Sequence, residues 1–273
     1  MPAPQPEQLE QRTARSTNYL TVGSIFLLHL MPVIALILGT NSEDWLFFCI
    51  VYPFSAIGVG VAAHRYFAHR AFRTSRWFQF LLALMATSAF GNPVRFAGKH
   101  RLHHLHVDTD RDVHSPSQGF WYCWMGSLVS PQYPAEESDR YARDWLRYPE
   151  LRWLNKYYWL PGMLLILLAF SLGGIGMVGI GVCLGPVILM HQSSAVNYLC
   201  HKYGYRRYGS TNASTNNPIV ALLTFGEGWH NNHHEHPTSP RAGEVWWELD
   251  IFYYVIQLFQ LLGLVWQEKR NHT

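Results

Sequence analysis

The chain has 273 residues, a formal charge of +3, and 49% hydrophobic and 15% aromatic residues. That length fits one large domain, and the weak charge, with no nucleic-acid motif, excludes a basic nucleic-acid binder. Cys49, Cys123, Cys183 and Cys200 are scattered without a C-x-x-C spacing, which excludes a thiolate zinc site and leaves them as small buried apolar residues.

Met1 to Ser16 is polar, with acidic and basic residues and no apolar core before a cleavage site, so it does not read as a signal peptide. Thr21 to Gly39 is almost wholly apolar, as are Trp45 to Ala63, Tyr158 to Leu172, and Met177 to Met190 extending towards Cys200. A helical span needs ~20 mostly apolar residues. The pattern predicts spans at about 20–39, 45–64, 157–172 and 177–200. Polar intervening regions explain why the mean hydropathy is nonetheless near zero. The short links Thr40–Asp44 and Gly173–Gly176 hold no Lys or Arg, whereas Arg65–Lys156 holds thirteen. The positive-inside rule then puts that basic stretch and both termini in the cytoplasm. Phe78 to Phe90 is apolar enough to suggest another span, but a crossing there would separate the histidines on its two sides. Trp77–Ala97 is therefore expected to be an interfacial or re-entrant helix covered by protein, and Ile251–Trp266 is read similarly. The expected architecture is an all-α integral membrane protein, a single domain over 1–273. It has a polar segment 1–19, four transmembrane helices in two hairpins, and a cytosolic helical cap from 65–156 and 201–273.

Beside the apolar segments lie three histidine clusters: His64-Arg-Tyr-Phe-Ala-His69, His100-Arg-Leu-His103-His104 and His230-Asn-Asn-His233-His234. Neutral imidazole is a common ligand of first-row metals, and eight such residues exceed what one ion needs. His100, His103 and His104 stand at i, i+3, i+4, as do His230, His233 and His234, so each trio shares a helix face. His64 and His69 are five apart, off one face of an α-helix, and fit better at a helix end where the chain turns. The last span would deliver His201 to the same surface, with Asn197 one turn earlier placed to hold a metal-bound water. All-imidazole ligation with open positions suits iron or another mid-series metal, and oxygen chemistry is the usual reason to hold two irons. Asp108, Asp110, Asp112, Glu227 and Glu235 are near enough in sequence to orient imidazoles. His29 and His191 lie too deep in their spans to act as ligands, His272 is terminal, and His106, His114 and His236 flank the clusters.

The three clusters, with Asp112-Val-His114-Ser-Pro after the second, Gly226-Glu-Gly-Trp before the third, and Asn197-Tyr-Leu-Cys-His201, resemble the membrane-bound fatty acyl desaturases. The likeness is to their stearoyl-type (delta-9) branch and runs over roughly Tyr52 to Val265. The resemblance implies a di-iron centre held by His64, His69, His100, His103, His104, His201, His230, His233 and His234, with Asn197 binding through water. It implies a cis double bond formed in a fatty acyl chain with O2 as co-substrate and two external electrons. The sequence holds no cytochrome b5-like segment and no iron–sulfur cysteine motif, so a separate donor such as ferredoxin or cytochrome b5 is expected. The active site would face the cytoplasm, most simply at a bacterial inner membrane.

Animal acyl-CoA members carry charged residues before the second cluster and a basic pair after it, where this chain has Gly98-Lys99 and Ser117-Gln118. An acyl carrier protein or a lipid thus becomes the expected carrier rather than CoA, with Arg95, Lys99, Arg111 and His114 as docking candidates. Two alternatives share some of these residues: an acyl hydroxylase or acetylenase (terminal alkyne formation included), and a non-catalytic membrane metal transporter. Transporters place ligands near the bilayer midplane, whereas these clusters lie at segment ends.

Overall fold

A computed structural model describes residues 17–131, 133–209 and 211–266. Most of the polar N-terminal segment, and His272, lie outside the described residues. Helix α1 (Tyr19–Leu38) opens on Asn18, whose side chain accepts the Thr21 N–H. Helix α2 begins with a reciprocal cap between Asn41 and Asp44 and runs over Ser42–Ala68. From Gly58 to Ala68 its ladder widens to i→i+5 bonds. Just beyond it, strand β1 (Arg73–Thr74) pairs antiparallel with β2 (Val265–Trp266), tying the end of α2 to the C-terminal part of the described chain.

The apolar stretch Trp77–Ala97, expected to be one interfacial helix, is two: α3 (Arg76–Thr87) and α4 (Pro93–His106). The backbone leaves the helical region at Phe90 (φ 58), and Pro93 starts a new helix, because it disfavours the helical region for Asn92 and lacks the N–H a continuing helix needs. Asn92 instead caps α4, accepting from the Val94 and Arg95 N–H groups. One face of α3 is covered by protein, with Phe78, Leu82 and Ala83 buried, while Trp77 and Leu81 are exposed. Short helices α5 (Ala135–Tyr141), α6 (Arg143–Leu146) and α7 (Pro149–Lys156) lie over α4. Contact there is so close that a Cβ at Gly98 would overlap the Ser138 carbonyl oxygen.

Helix α8 spans Trp159–Gly176, followed by wide turns over Met177–Cys183 and helix α9 (Leu184–Leu199). Gly174, at φ 63 and ψ −147, takes the backbone out of the helical region. Residues on either side of it, Ala169 and Val182 among them, belong to one apolar cluster that also takes in Leu28 and Met31 of α1. Three short helices complete the described chain: α10 (Pro218–Leu223), α11 (His230–Glu235) and α12 (Ile251–Leu261).

Burial divides the molecule. Phe67, Leu82, Trp145, Leu151, Leu154 and Ile256 form a closed core where α2 ends among α3, α4 and the short helices. On α1 and α8, by contrast, Phe26, Leu27, Ile37, Leu164, Leu167 and Phe170 face outward. Contiguous apolar surface of that kind calls for a non-aqueous neighbour. Three helical runs, Tyr19–Leu38, Ser42–Ala68 and Trp159–Leu199, are long and apolar enough to cross a membrane.

Candidate metal centre

All the predicted ligand histidines converge. Helix α4 presents His100, His103 and His104, and α11 presents His230, His233 and His234, each trio at the expected spacing. His201 follows the end of α9. As expected, His64 and His69 sit at a helix end: His69 caps α2, and the chain turns at Arg70, whose φ is 53. Because α2 has widened, the His69 N–H reaches the His64 carbonyl at 3.2 Å, an i→i+5 ring, and the imidazole centroids stand 5.0 Å apart. A wide helix puts residues five apart on one face.

The nitrogens sort into two groups, each within 4.8 Å: His64, His69, His100 and His233, and His103, His201, His230 and His234. His104 joins the first, its Nε2 lying 3.1 Å from Nε2 of both His100 and His233. Proton placement tests whether a cation fits. His103 turns Nδ1 to Asp112 at 2.8 Å, His201 turns Nδ1 to Asp108 at 3.0 Å, and His64 turns Nδ1 to Glu227. Carboxylates only accept, so these Nδ1 atoms carry the protons and each Nε2 keeps a bare lone pair. Those Nε2 atoms nevertheless face other imidazole nitrogens. His64 meets His233 at 3.1 Å, His103 meets His234 at 3.3 Å, and His201 meets His230 at 3.1 Å. Ligands ~2.1 Å from one cation and at right angles to each other lie ~3.0 Å apart. Nε2 of His69 is buried with no hydrogen-bond partner, an atom a cation would satisfy. The donor set fits metal.

Electrostatics agree. Burial, and then neighbouring imidazoles, hold His69, His100, His103, His230, His233 and His234 well below the ordinary histidine range. His104 is brought down to about 3 in the same way. These rings stay neutral near pH 7 and keep a lone pair for ligation. Burial alone would raise the Glu227 carboxyl, but His64 and Arg65 outweigh it and bring it to about 2.

Of the five carboxylates expected to orient imidazoles, Asp108, Asp112 and Glu227 do so, while Asp110 and Glu235 are exposed. His29 and His191 stand apart from the centre and contact each other at 3.1 Å, with Trp124 donating to His191 Nδ1. Among the docking candidates, Arg95 pairs with Asp139 at 3.4 Å and Arg111 is exposed. Lys99 and His114 instead line a cavity of about 320 Å³, together with His64, His100, His230 and Asn197. Its remaining walls are largely apolar, among them Ala56, Val59, Leu189, Val196 and Phe252.

Sequence reasoning missed two arginines, each directly following a histidine of the two groups. Arg65, nearly inaccessible, bonds Glu227, Asp250 and the Pro240 carbonyl, fixing α2 to the segment that carries the third cluster. Arg101 bonds the Phe67, Ala68 and Tyr141 carbonyls and Asp144, fixing α2 to α4. The two asparagines of the third cluster are pins as well. Asn231 accepts the Arg207 and Tyr208 N–H groups, and Asn232 bonds Asn216 and Glu248. The repeated His-Arg pair was the one available signal.

Helices long and apolar enough to cross a membrane and two histidine groups that could hold metal describe the molecule, and comparison with known proteins gives its class. The fatty acid desaturase family model matches residues 43–263. The chain is 40% identical over 214 residues to the sn-1 stearoyl-lipid 9-desaturase of Anabaena variabilis, covering 78% of this chain and 79% of that one. It is 34% identical over 251 residues to the icosanoyl-CoA 5-desaturase of Limnanthes douglasii (90% and 70%). It is 33% identical over 261 residues to the delta-9 acyl-lipid desaturase 2 of Arabidopsis thaliana (94% and 85%). The chain belongs to the fatty acid desaturase family, whose members are oxidoreductases of lipid metabolism.

Proposed function

We propose that the chain inserts a cis double bond, of delta-9 type, into a fatty acyl chain, using two irons. His64, His69, His100, His104 and His233 would hold one, and His103, His201, His230 and His234 the other, with Asn197 binding one of them through water. Bound iron would supply O2 activation and removal of hydrogen from an unactivated methylene. The protein's part is placement and exclusion of water. The observation that carries this reading is the cavity, where His64, His100 and His230 share walls with Ala56, Val59, Leu189 and Phe252. An acyl chain bound there lies along apolar side chains with one stretch of methylenes beside the metal-facing rings, and position alone selects the carbon that reacts.

The membrane arrangement follows the same logic. Gly174 divides Trp159–Leu199 into two spans, giving four in two hairpins, a reading supported by Ala169 packing in one cluster with Val182. The basic cap and the histidines then face the cytoplasm, in a bacterial inner membrane, where a separate ferredoxin or cytochrome b5-type donor delivers electrons. The test is expression in a host of defined lipid composition with such a donor, followed by mass analysis of the acyl chains. Chains lighter by two hydrogens, with the double bond at one position, are expected. Chains heavier by one oxygen, or unchanged chains with a loaded enzyme, would overturn the reading.

A further inference from the structure

The cavity is lined by a lysine that has no ion-pair partner among the described residues. Lys99 lines it beside His100 and is half-buried. Among the described residues no carboxylate lies within ion-pair distance of it. Nearby cations are treated differently: Arg95 pairs with Asp139, Arg101 with Asp144, and Arg65 with Glu227 and Asp250. Glu227 also lines the cavity, but it is engaged by Arg65 and His64. Withdrawing an ammonium from water without a counter-charge is costly, so the arrangement makes sense when an incoming anion completes it.

The chemistry of the substrate narrows what that anion is. An acyl chain in ester or thioester linkage has no carboxylate of its own, so negative charge must belong to its carrier. Phosphate is the anionic group shared by glycerophospholipids and phosphopantetheine thioesters, and galactolipids lack it. Lys99 stands on α4 beneath the cap, whereas Ala56, Val59 and Leu189 lie on the membrane-facing helices α2 and α9. The head of the substrate therefore belongs at the Lys99 end and its tail among the apolar residues. We infer that Lys99 binds a phosphate oxygen of the acyl carrier, so that the enzyme selects phosphate-bearing acyl esters over neutral ones. This rests on the desaturase reading of the same cavity.

The test uses iron-loaded enzyme in neutral detergent with one acyl chain presented on phosphatidylglycerol, on a monogalactosyl lipid, and on acyl carrier protein. Lys99→Met should raise KM for phosphate-bearing substrates about tenfold or more while kcat stays within about twofold, as expected for loss of a charge-assisted contact. The galactolipid KM should move less than about twofold, Lys99→Arg should recover most of the loss, and the exposed Lys156→Met should match wild type. Whether the phospholipid or the carrier-protein substrate responds identifies the source of the phosphate. Equal effects on all substrates, no effect on any, or turnover of the galactolipid alone would overturn the assignment. If no substrate gains a double bond, the desaturase reading fails, and equilibrium binding of fluorescent phosphatidylglycerol against fluorescent galactolipid decides on Lys99. A phosphate preference lost in Lys99→Met upholds the assignment, and identical binding refutes it.

Discussion

Which nitrogen of His103 is free to bind a metal depends on one carboxylate. Asp112 takes the Nδ1 proton through Oδ1 and is itself held by the Asp108 N–H on Oδ2 and the His114 N–H on Oδ1. An amide in its place can offer a donor to Nδ1 and move the ring proton to Nε2, the nitrogen that faces His234. Asp112→Asn should therefore weaken iron binding about 10–100-fold, read as iron retained per chain after dialysis against graded chelator. The exposed Asp110→Asn should retain iron like wild type, and equal retention by both variants would remove Asp112 from this role. Loss of a ligand itself is more severe. His103→Ala or His233→Ala should abolish turnover and lower iron content, while His29→Ala, whose ring meets His191, should keep its iron.

Helices position these rings, and Arg101 with Asp144 joins three of them. Its guanidinium reaches the Phe67 and Ala68 carbonyls at 2.8 and 2.9 Å, groups that the end of α2 leaves without helical partners, and meets Asp144 of α6 at 2.7 Å. Burial alone would raise the Asp144 carboxyl, but bonds from Arg101 and Arg70 prevail and leave it below its ordinary value. A depressed carboxylate contributes stability that is complete above its unfolded pKa of ~3.9 and lost as pH falls through the lower folded value. Asp144→Asn should thus destabilise by about 1–2 kcal/mol at pH 7, and its deficit in thermal unfolding should close only below pH ~4. A constant deficit down to pH ~3 would contradict that origin. The same elements show what the sequence can disclose. The clusters on α4 and α11 were legible because ordinary α-helical spacing delivers them. The helix end that carries His64 and His69 was legible as well, but the face they share was not, since five-residue spacing fits only a ladder that has widened, and nothing local announces that widening. Arg65 and Arg101 were counted only as part of the basic stretch, because their partners, such as Asp250 and Asp144, are remote in sequence.

At the scale of the whole molecule, the two histidine groups join α4 to the segment that follows α9. The segment from His201 to Asp250 has its own polar network through Asn216, Asn231, Asn232 and Glu248. It meets α4 and the following loop through imidazole nitrogens and through Asp108, which accepts from His201 and from the Ala213 N–H at 2.6 Å. Arg65 ties it separately to α2. A cation shared by both sides binds the folded arrangement and not the unfolded chain, so it stabilises by mass action, about 4 kcal/mol at a thousandfold excess over Kd. Removing iron with a chelator should lower the unfolding temperature and raise amide hydrogen exchange most in Val107–His114 and His230–Glu235. The Arg101 cluster and the β1–β2 pair should stay protected, because their bonds involve no ligand nitrogen. Exchange that rose evenly along the chain, or not at all, would mean that the two sides are held together without the metal.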